Sequence, residues 1–516
     1  MSAGGATRRG FGRGLAAALG PWPSGIGQSA GRARKPNIVF VCSDQHGGQV
    51  MGCNGHPVVR TPNMDRLAAR GVHYRNAYCG SPVCVPGRAS LMTGRFASDV
   101  DSYCNSTPFD GRARTWATYL KDAGYHCWGT GKLDLVGGRD YGLAEFQTSH
   151  SHHTHPDICS LFRRPLCYRV DERDDVNGEF SERSHGDQRT LANALRFLRE
   201  DAPRLKQPWA MWAGLLLPHP NFVAHRRFEA LYPPWRVTLP NVPDGYLERR
   251  HVALQALASY RMISVPIPEQ RVRMARAAYY AMVTELDEMV GSLVGEIEAA
   301  GQWDNTVFVY TSDHGEMLGE HGLWLKNTLL EGAARVPLIL AGGGLPAGRA
   351  VDRPVAHVDL VATLLDVGGV TVPAGLRGRS LLPMAEGRPG DHSGLAFGES
   401  HCGGNCTGSY MVRKGDWKYI HFSYYPSLLF NLKEDPGELN DLSQDARYQG
   451  IRQEMHAALA SLIDPEEVTE RAFRRQQNRL AELVKAKSPE QLLTEDLARR
   501  LGEGQARALL KTLYRA

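Results

Sequence analysis

The segment Asn37–Ser43 (NIVFVCS) is an apolar, β-branched run behind Pro36, a pattern that predicts a strand buried on both faces of a parallel sheet. Thr306–Ser312 (TVFVYTS) repeats the design much later in the chain. Each run ends on a carboxylate followed by a second polar group, Asp44-Gln45 and Asp313-His314. Between them, helical patterns alternate with further apolar runs: Arg112–Ala123 precedes Tyr125–Gly129, and Gln188–Glu200 precedes Trp209–Leu217. This alternation predicts an α/β fold, a large sheet with helices on both faces. Ligands of such sheets bind beyond the carboxyl ends of the strands, so both acidic pairs point to one crevice.

After Pro337–Leu340 and the helix-like His357–Val367, the pattern changes near Gly387–Ser393. Short strands are predicted at Ser409–Arg413, Trp417–Phe422 and Ser427–Leu432, with turn residues between them, as in a small antiparallel sheet. From about Asp445 the chain becomes rich in Arg, Lys, Glu, Gln, Leu and Ala at helical spacing. The predicted organisation is an extension over 1–35, a large α/β domain over 36–386, a small subdomain over 387–445 and a helical tail over 446–516. The tail reads either as a helix packed on its own subunit or as an arm for a homo-oligomer.

Composition narrows the picture. A chain of 516 residues exceeds what a single core ordinarily supports, and a two-domain enzyme is the default. Lys and Arg number 60 against 55 Asp and Glu, with no concentrated basic tract, so no nucleic-acid partner is implied. No apolar run approaches the roughly 20 residues of a membrane-spanning helix. The first 35 residues contain no acid. Within them Thr7–Arg13 (TRRGFGR) resembles a twin-arginine export signal, followed by Leu15–Leu19 and a small-residue Gln28-Ser29-Ala30. That reading places the protein in the periplasm or beyond; the other, a basic extension, leaves it cytoplasmic. Ten cysteines suit either redox compartment. Cys402 and Cys406 bracket a Gly-Gly-Asn loop that suits a disulfide, a metal pair or free thiols. The histidines at 150, 152, 153 and 155 read as a surface loop or a second metal site.

The sharpest local signal is Ser81–Arg95 (SPVCVPGRASLMTGR). Pro86 suits a first helical turn, which puts Cys84 at a helix N-terminus, where unpaired amides favour an anion. A thiol so placed is activated, and Arg88, one turn on, can hold a tetrahedral oxyanion by two parallel bonds. A buried structural thiol explains the bare local pattern equally well.

Cys-x-Pro-x-Arg followed by Ala-Ser-Leu-Met-Thr-Gly-Arg closely resembles the signature of the sulfatase family. Further similar segments follow the family's order: Asn37–Gln45 with Pro57–Ala68, Ser312–Gly319, and Leu429–Leu432 with Glu434–Glu438. The resemblance implies an alkaline phosphatase-like fold, a mixed, mostly parallel sheet flanked by helices with a smaller C-terminal antiparallel sheet. It also implies hydrolysis of a sulfate ester. Cys84 would be oxidised to formylglycine by a maturation enzyme, and the hydrated aldehyde would attack sulfur. Asp44, Gln45, Asp313 and His314 match the metal positions, with modified Cys84 completing the site. Side-chain oxygens favour Ca²⁺, with Mn²⁺ or Mg²⁺ as rivals. Arg88, Lys132 and Lys326 match sulfate-binding positions, and His219 matches a histidine beside the leaving alcohol. Asn105 matches a substrate contact of the choline sulfatase and phosphonate monoester hydrolase branch. The chain departs from the family at Asp134, where a histidine is common; this carboxylate becomes a base or a contact to substrate. Small-molecule or carbohydrate sulfates are the expected partners. A phosphonate monoester or phosphodiester hydrolase using the same nucleophile is the enzymatic alternative, and an anion-binding protein that keeps its thiol is the noncatalytic one.

Overall fold

The computed structural model describes residues 35–147, 157–163, 166–182 and 186–514. The export-signal segment and the histidine run at 150–155 lie outside these residues. Eight strands form the main sheet: β1 (Asn37–Ser43), β2 (Gly71–Tyr74), β3 (His126–Gly131), β4 (Glu145–Gln147), β5 (Trp209–Gly214), β6 (Thr306–Ser312), β7 (Leu338–Gly342) and β8 (Arg349–Val351). Their order is β8-β2-β7-β6-β1-β5-β3-β4. Only β7 runs antiparallel to its neighbours β2 and β6; the other pairs are parallel. Every residue of β1, β5 and β6 is buried, which is why these strands read as continuous apolar runs instead of alternating ones.

Two glycines bring β3 and β5 close at their carboxyl ends. Gly131 has φ +84°, and a Cβ on Gly214 would sit 1.9 Å from the Lys132 carbonyl oxygen. The Lys132 amide in turn donates to the Gly214 carbonyl at 2.8 Å. Four helices position the rest: α1 (Cys84–Thr93), α2 (Val252–Tyr260), α3 (Glu269–Ala299) and α4 (His357–Val367). All residues of α1 are buried, and α4 packs against it. The long α3 carries Tyr279, whose hydroxyl donates to the Gln45 carbonyl at 2.6 Å and accepts from the Gly47 amide at 3.0 Å.

The C-terminal region forms a four-stranded antiparallel sheet of β9 (Leu395–Ser400), β10 (Ser409–Lys414), β11 (Trp417–Phe422) and β12 (Tyr425–Asn431). Strand β9 is the one that sequence reading did not single out. Phe397, Met411 and Leu429 of this sheet belong to the same apolar cluster as Val39 and Tyr279. Cys402, in the β9–β10 connection, is a buried thiol. The tail is helical, as its spacing predicts. Its longest helix, α5 (Pro465–Ala486), buries Val468, Ala472 and Leu483, and Gln476 Nε2 donates to the His401 carbonyl at 2.7 Å. The tail therefore packs on its own chain. Among the described residues no helix is long and apolar enough to cross a membrane.

Candidate active site

Strand register makes the first assembly step. β1 and β6 pair with Ser43 opposite Ser312, so Asp44 and Asp313 leave adjacent parallel strands at one level. On the other side of β1, β5 runs on toward His219, and β3 delivers Lys132. Cys84 opens α1 after the extended residue Val83, with Pro86 in the first turn, where its missing N–H is no loss. Gly87 also has a packing reason: a Cβ there would lie 2.8 Å from the Ser81 carbonyl and 3.0 Å from the Asp313 carbonyl.

Asp44, Cys84, Asp313 and His314 offer ligand atoms that all lie within 4.8 Å of one another, and all four residues are buried. Cys84 Sγ is 3.3 Å from His314 Nε2, 3.0 Å from Lys326 Nζ and 3.8 Å from Asp44 Oδ1. Gln45 joins them with φ at 69°, a region sparsely populated by residues with a side chain, held by Tyr279 on its carbonyl. Its Nε2 donates to Glu316, which turns Oε1 toward Lys326 Nζ at 2.7 Å. Arg88 is fully buried. Its Nε donates to Asp313 Oδ2 at 2.9 Å and its Nη1 to the Lys132 carbonyl at 2.9 Å, while Nη2 is without a hydrogen-bond partner, 3.6 Å from Asp44. Lys132 Nζ pairs with Asp44 and lies 3.2 Å from Asp134.

The balance of charge decides protonation. Burial opposes ionisation of Asp44, but Lys132 and the neighbouring cations outweigh it and hold the carboxyl well below its ordinary range. Burial and Asp44 oppose ionisation of the Cys84 thiol, and Lys132, Lys326 and His314 overcome them, holding it well below the usual thiol range. Asp313 goes the other way, pushed up by burial and by the adjacent Asp44. Two carboxylates forced together out of water call for a cation between them. The donor set suits one: His314 Nδ1 is 3.0 Å from the Gly315 carbonyl, which keeps a proton there, so a bound cation would displace only the proton on Nε2, the nitrogen facing inward. With two carboxylates and the Gln45 amide oxygen, the residues fit a hard or borderline divalent ion.

A cleft of about 310 Å³ opens beside this cluster, lined at its base by Gln45, Asn105, His219 and Lys326. Asn105 Oδ1 accepts from the Val85 amide at 3.3 Å, anchoring it to the start of α1. His219 Nδ1 sits 2.6 Å from the Pro220 carbonyl, so Nε2 is the nitrogen left for a ligand. Asp134 does not line this cleft; it faces Lys132 at 3.2 Å and Arg88 at 3.8 Å, with φ at 56°. Its carboxylate is thus offset by cations beside it.

Sequence reasoning missed the cleft's outer wall. Asp157, Arg169, Asp171, Glu172 and Asp175 line it together with Arg499 and Arg500 of the tail. Arg500 lies 3.5 Å from Asp157 and Arg499 3.4 Å from Asp171, ion pairs between segments more than three hundred positions apart that no local pattern announces. Glu316, which orients Gln45 and accepts the Leu325 amide at 2.6 Å, lies inside the Ser312–Gly319 segment, its position there being the one signal for it in the sequence.

A family model described as Sulfatase matches residues 36–370. The chain belongs to the sulfatase family. It is a sulfuric ester hydrolase with an alkaline phosphatase-like fold, and the family implies a divalent metal and a formylglycine. A second model, for the C-terminal region of N-sulphoglucosamine sulphohydrolase, matches residues 319–465 of this sulfatase. Among its relatives, arylsulfatase K of Danio rerio is 30% identical over 85% of this chain and 86% of its own length, and choline-sulfatase of Rhizobium meliloti (strain 1021) is 31% identical over 80% and 83%. The phosphonate monoester hydrolase of Agrobacterium radiobacter superposes with a TM-score of 0.70 at 25% identity, covering 83% of this chain and 95% of that one.

Two outcomes follow for this sulfatase. Asp134→Asn removes a negative charge beside Lys132 and Arg88, so inhibition by inorganic sulfate should tighten on the order of tenfold; an unchanged inhibition constant would show that Asp134 does not offset these cations. Asp175 is pushed up to about 6 by burial and by Glu172 and Asp171. Below about pH 4 it is protonated folded and unfolded alike and imposes no cost; between about pH 4 and 6 the unfolded chain ionises it while the fold keeps it protonated, so the cost grows with pH and then stays constant. Chemical denaturation should therefore show Asp175→Asn gaining stability over the parent between about pH 4 and 6 and keeping that gain above. A pH-independent difference would contradict this.

Proposed function

We propose that this sulfatase acts on the sulfate ester of a polar, polyhydroxylated alcohol, a carbohydrate sulfate, in preference to choline or aryl esters. The lining of the cleft carries the reading. Among the described residues it presents carboxylates, guanidinium groups and amides, with no phenyl, phenol or indole ring. A quaternary ammonium needs aromatic faces, and an aryl group needs apolar area; a hydroxylated ring needs dense charged hydrogen-bond partners to replace water.

In this reading Cys84, as formylglycine, supplies the nucleophile. Its side chain is buried, at 4% exposure, so a maturation enzyme has to act before the fold closes. Asp44, Gln45, Asp313 and His314 would hold one divalent ion, Ca²⁺ by their preponderance of oxygen donors; when bound it supplies positive charge that activates the nucleophile and draws charge from the sulfuryl oxygens. Lys326 stands on the nucleophile at 3.0 Å and Lys132 across Asp44 from it, a pair placed to hold oxygens that gain charge as the S–O bond breaks. Arg88, clamped by Asp313 and the Lys132 carbonyl, fixes the geometry of the carboxylate and lysine it touches. His219 Nε2 faces the cleft, where it can hand a proton to the leaving alcohol oxygen.

Fully converted protein should be assayed on a sulfated monosaccharide or disaccharide, choline-O-sulfate, an aryl sulfate and a phosphonate monoester. The carbohydrate sulfate should lead in kcat/KM by roughly a hundredfold, the scale of a few lost hydrogen bonds, and Cys84→Ala should abolish every activity. A comparable lead for choline-O-sulfate or the phosphonate would overturn the substrate assignment, and turnover by Cys84→Ala would overturn the nucleophile.

A further inference from the structure

We infer a second oxyanion site, outside the catalytic cleft, in a cavity of about 280 Å³ between the start of α2 and the C-terminal sheet. Arg249 and Arg250 both line it. Arg250 is 7% exposed; its Nη1 donates to the His321 carbonyl at 2.8 Å, and its Nε is buried without a hydrogen-bond partner. Among the described residues no carboxylate lies within ion-pair distance of either arginine. A buried guanidinium that lacks a counter-charge is costly, and a tetrahedral oxyanion bound by parallel N–H donors removes that cost.

The other polar groups on the wall are already engaged. Glu438 pairs with Lys418 at 2.8 Å and accepts the Glu331 amide at 2.6 Å. Asp441 accepts from the Leu429 amide at 3.0 Å, and from the amide and hydroxyl of Ser443, each at 2.9 Å. His251 accepts the Ala253 amide on Nδ1, which caps α2, and reaches the Pro426 carbonyl with Nε2 at 2.9 Å. The donors left over are cationic. Burial lowers the pKa of Arg250 with only Tyr246 opposing it, as expected of an unpaired cation.

The cavity also communicates with the catalytic centre. Residues 316–326 form a loop whose arms are joined by Met317 to Leu325 at 2.9 Å and Gly319 to Leu323 at 2.8 Å. Its tip is His321, held by Arg250 on its carbonyl and by the Tyr246 hydroxyl on its ring. The next residue after the loop's closing contact, Leu325 to Glu316, is Lys326 on Cys84. An oxyanion on Arg250 fixes the loop that presents this lysine, so sulfate, the reaction's own product, reports back through it.

Calorimetric titration of the full-length, metal-loaded protein with sodium sulfate, against sodium chloride at matched ionic strength, tests the site. The parent should bind two equivalents of sulfate per chain. Arg250→Gln, or the exposed Arg249→Gln, which is free to fold, should lose one of them or weaken it at least tenfold. A single equivalent in the parent, or two undiminished equivalents in both variants, overturns the proposal. A parallel titration with a sulfated monosaccharide separates the sources: a second equivalent seen with inorganic sulfate alone assigns the site to free product. The cavity is apart from the cleft, so this result is independent of which sulfate ester is hydrolysed.

Discussion

The parallel register of two neighbouring strands governs the candidate catalytic centre. With Asn37–Ser43 laid against Thr306–Ser312 residue for residue, Asp44 and Asp313 emerge side by side, and neither can move apart without breaking a fully buried ladder. Two carboxylates so confined repel each other, and burial raises the cost of both charges. The surroundings answer this frustration with cations: Arg88 bonded to Asp313, Lys132 to Asp44, and Lys326 standing on Cys84. A divalent ion, which the family implies, would complete the same balance. The cations that the fold requires to keep two acids buried together are the ones the proposed mechanism would turn on a sulfuryl group.

Much of this was legible in the sequence, and for identifiable reasons. Buried parallel strands cannot alternate polar and apolar residues, so NIVFVCS and TVFVYTS stood out, and the carboxylates at their ends marked the crevice. Cys84 at a helix start was legible from Pro86. The need for Gly87 lies in the backbone of Ser81 and Asp313 packed against it. At Asp134, where the family's histidine is replaced, Lys132 and Arg88 stand beside the carboxylate and offset its charge.

Other parts were illegible because they arise from contacts between distant segments. Strand Leu395–Ser400 lies where the sequence showed only a change of character. Arg499 and Arg500 looked like any arginines on a solvated helical tail, and only packing brings them to Asp157 and Asp171 at the mouth of the cleft. The tail therefore contributes to the wall of the cleft, a placement that helical periodicity does not encode. Arg250 is similar: one arginine in a run of two, distinguished solely by its burial without a counter-charge.

Peptide mass spectrometry of the Ser81–Arg88 region decides whether Cys84 stands as an aldehyde-bearing residue at the head of this charged cluster. Protein isolated from its native host, or from cells that carry a formylglycine-generating enzyme, should yield the peptide with the thiol replaced by an aldehyde. Sulfatase activity should rise in proportion to the converted fraction. An unmodified Cys84 thiol in fully active protein would mean that no aldehyde is needed at this position.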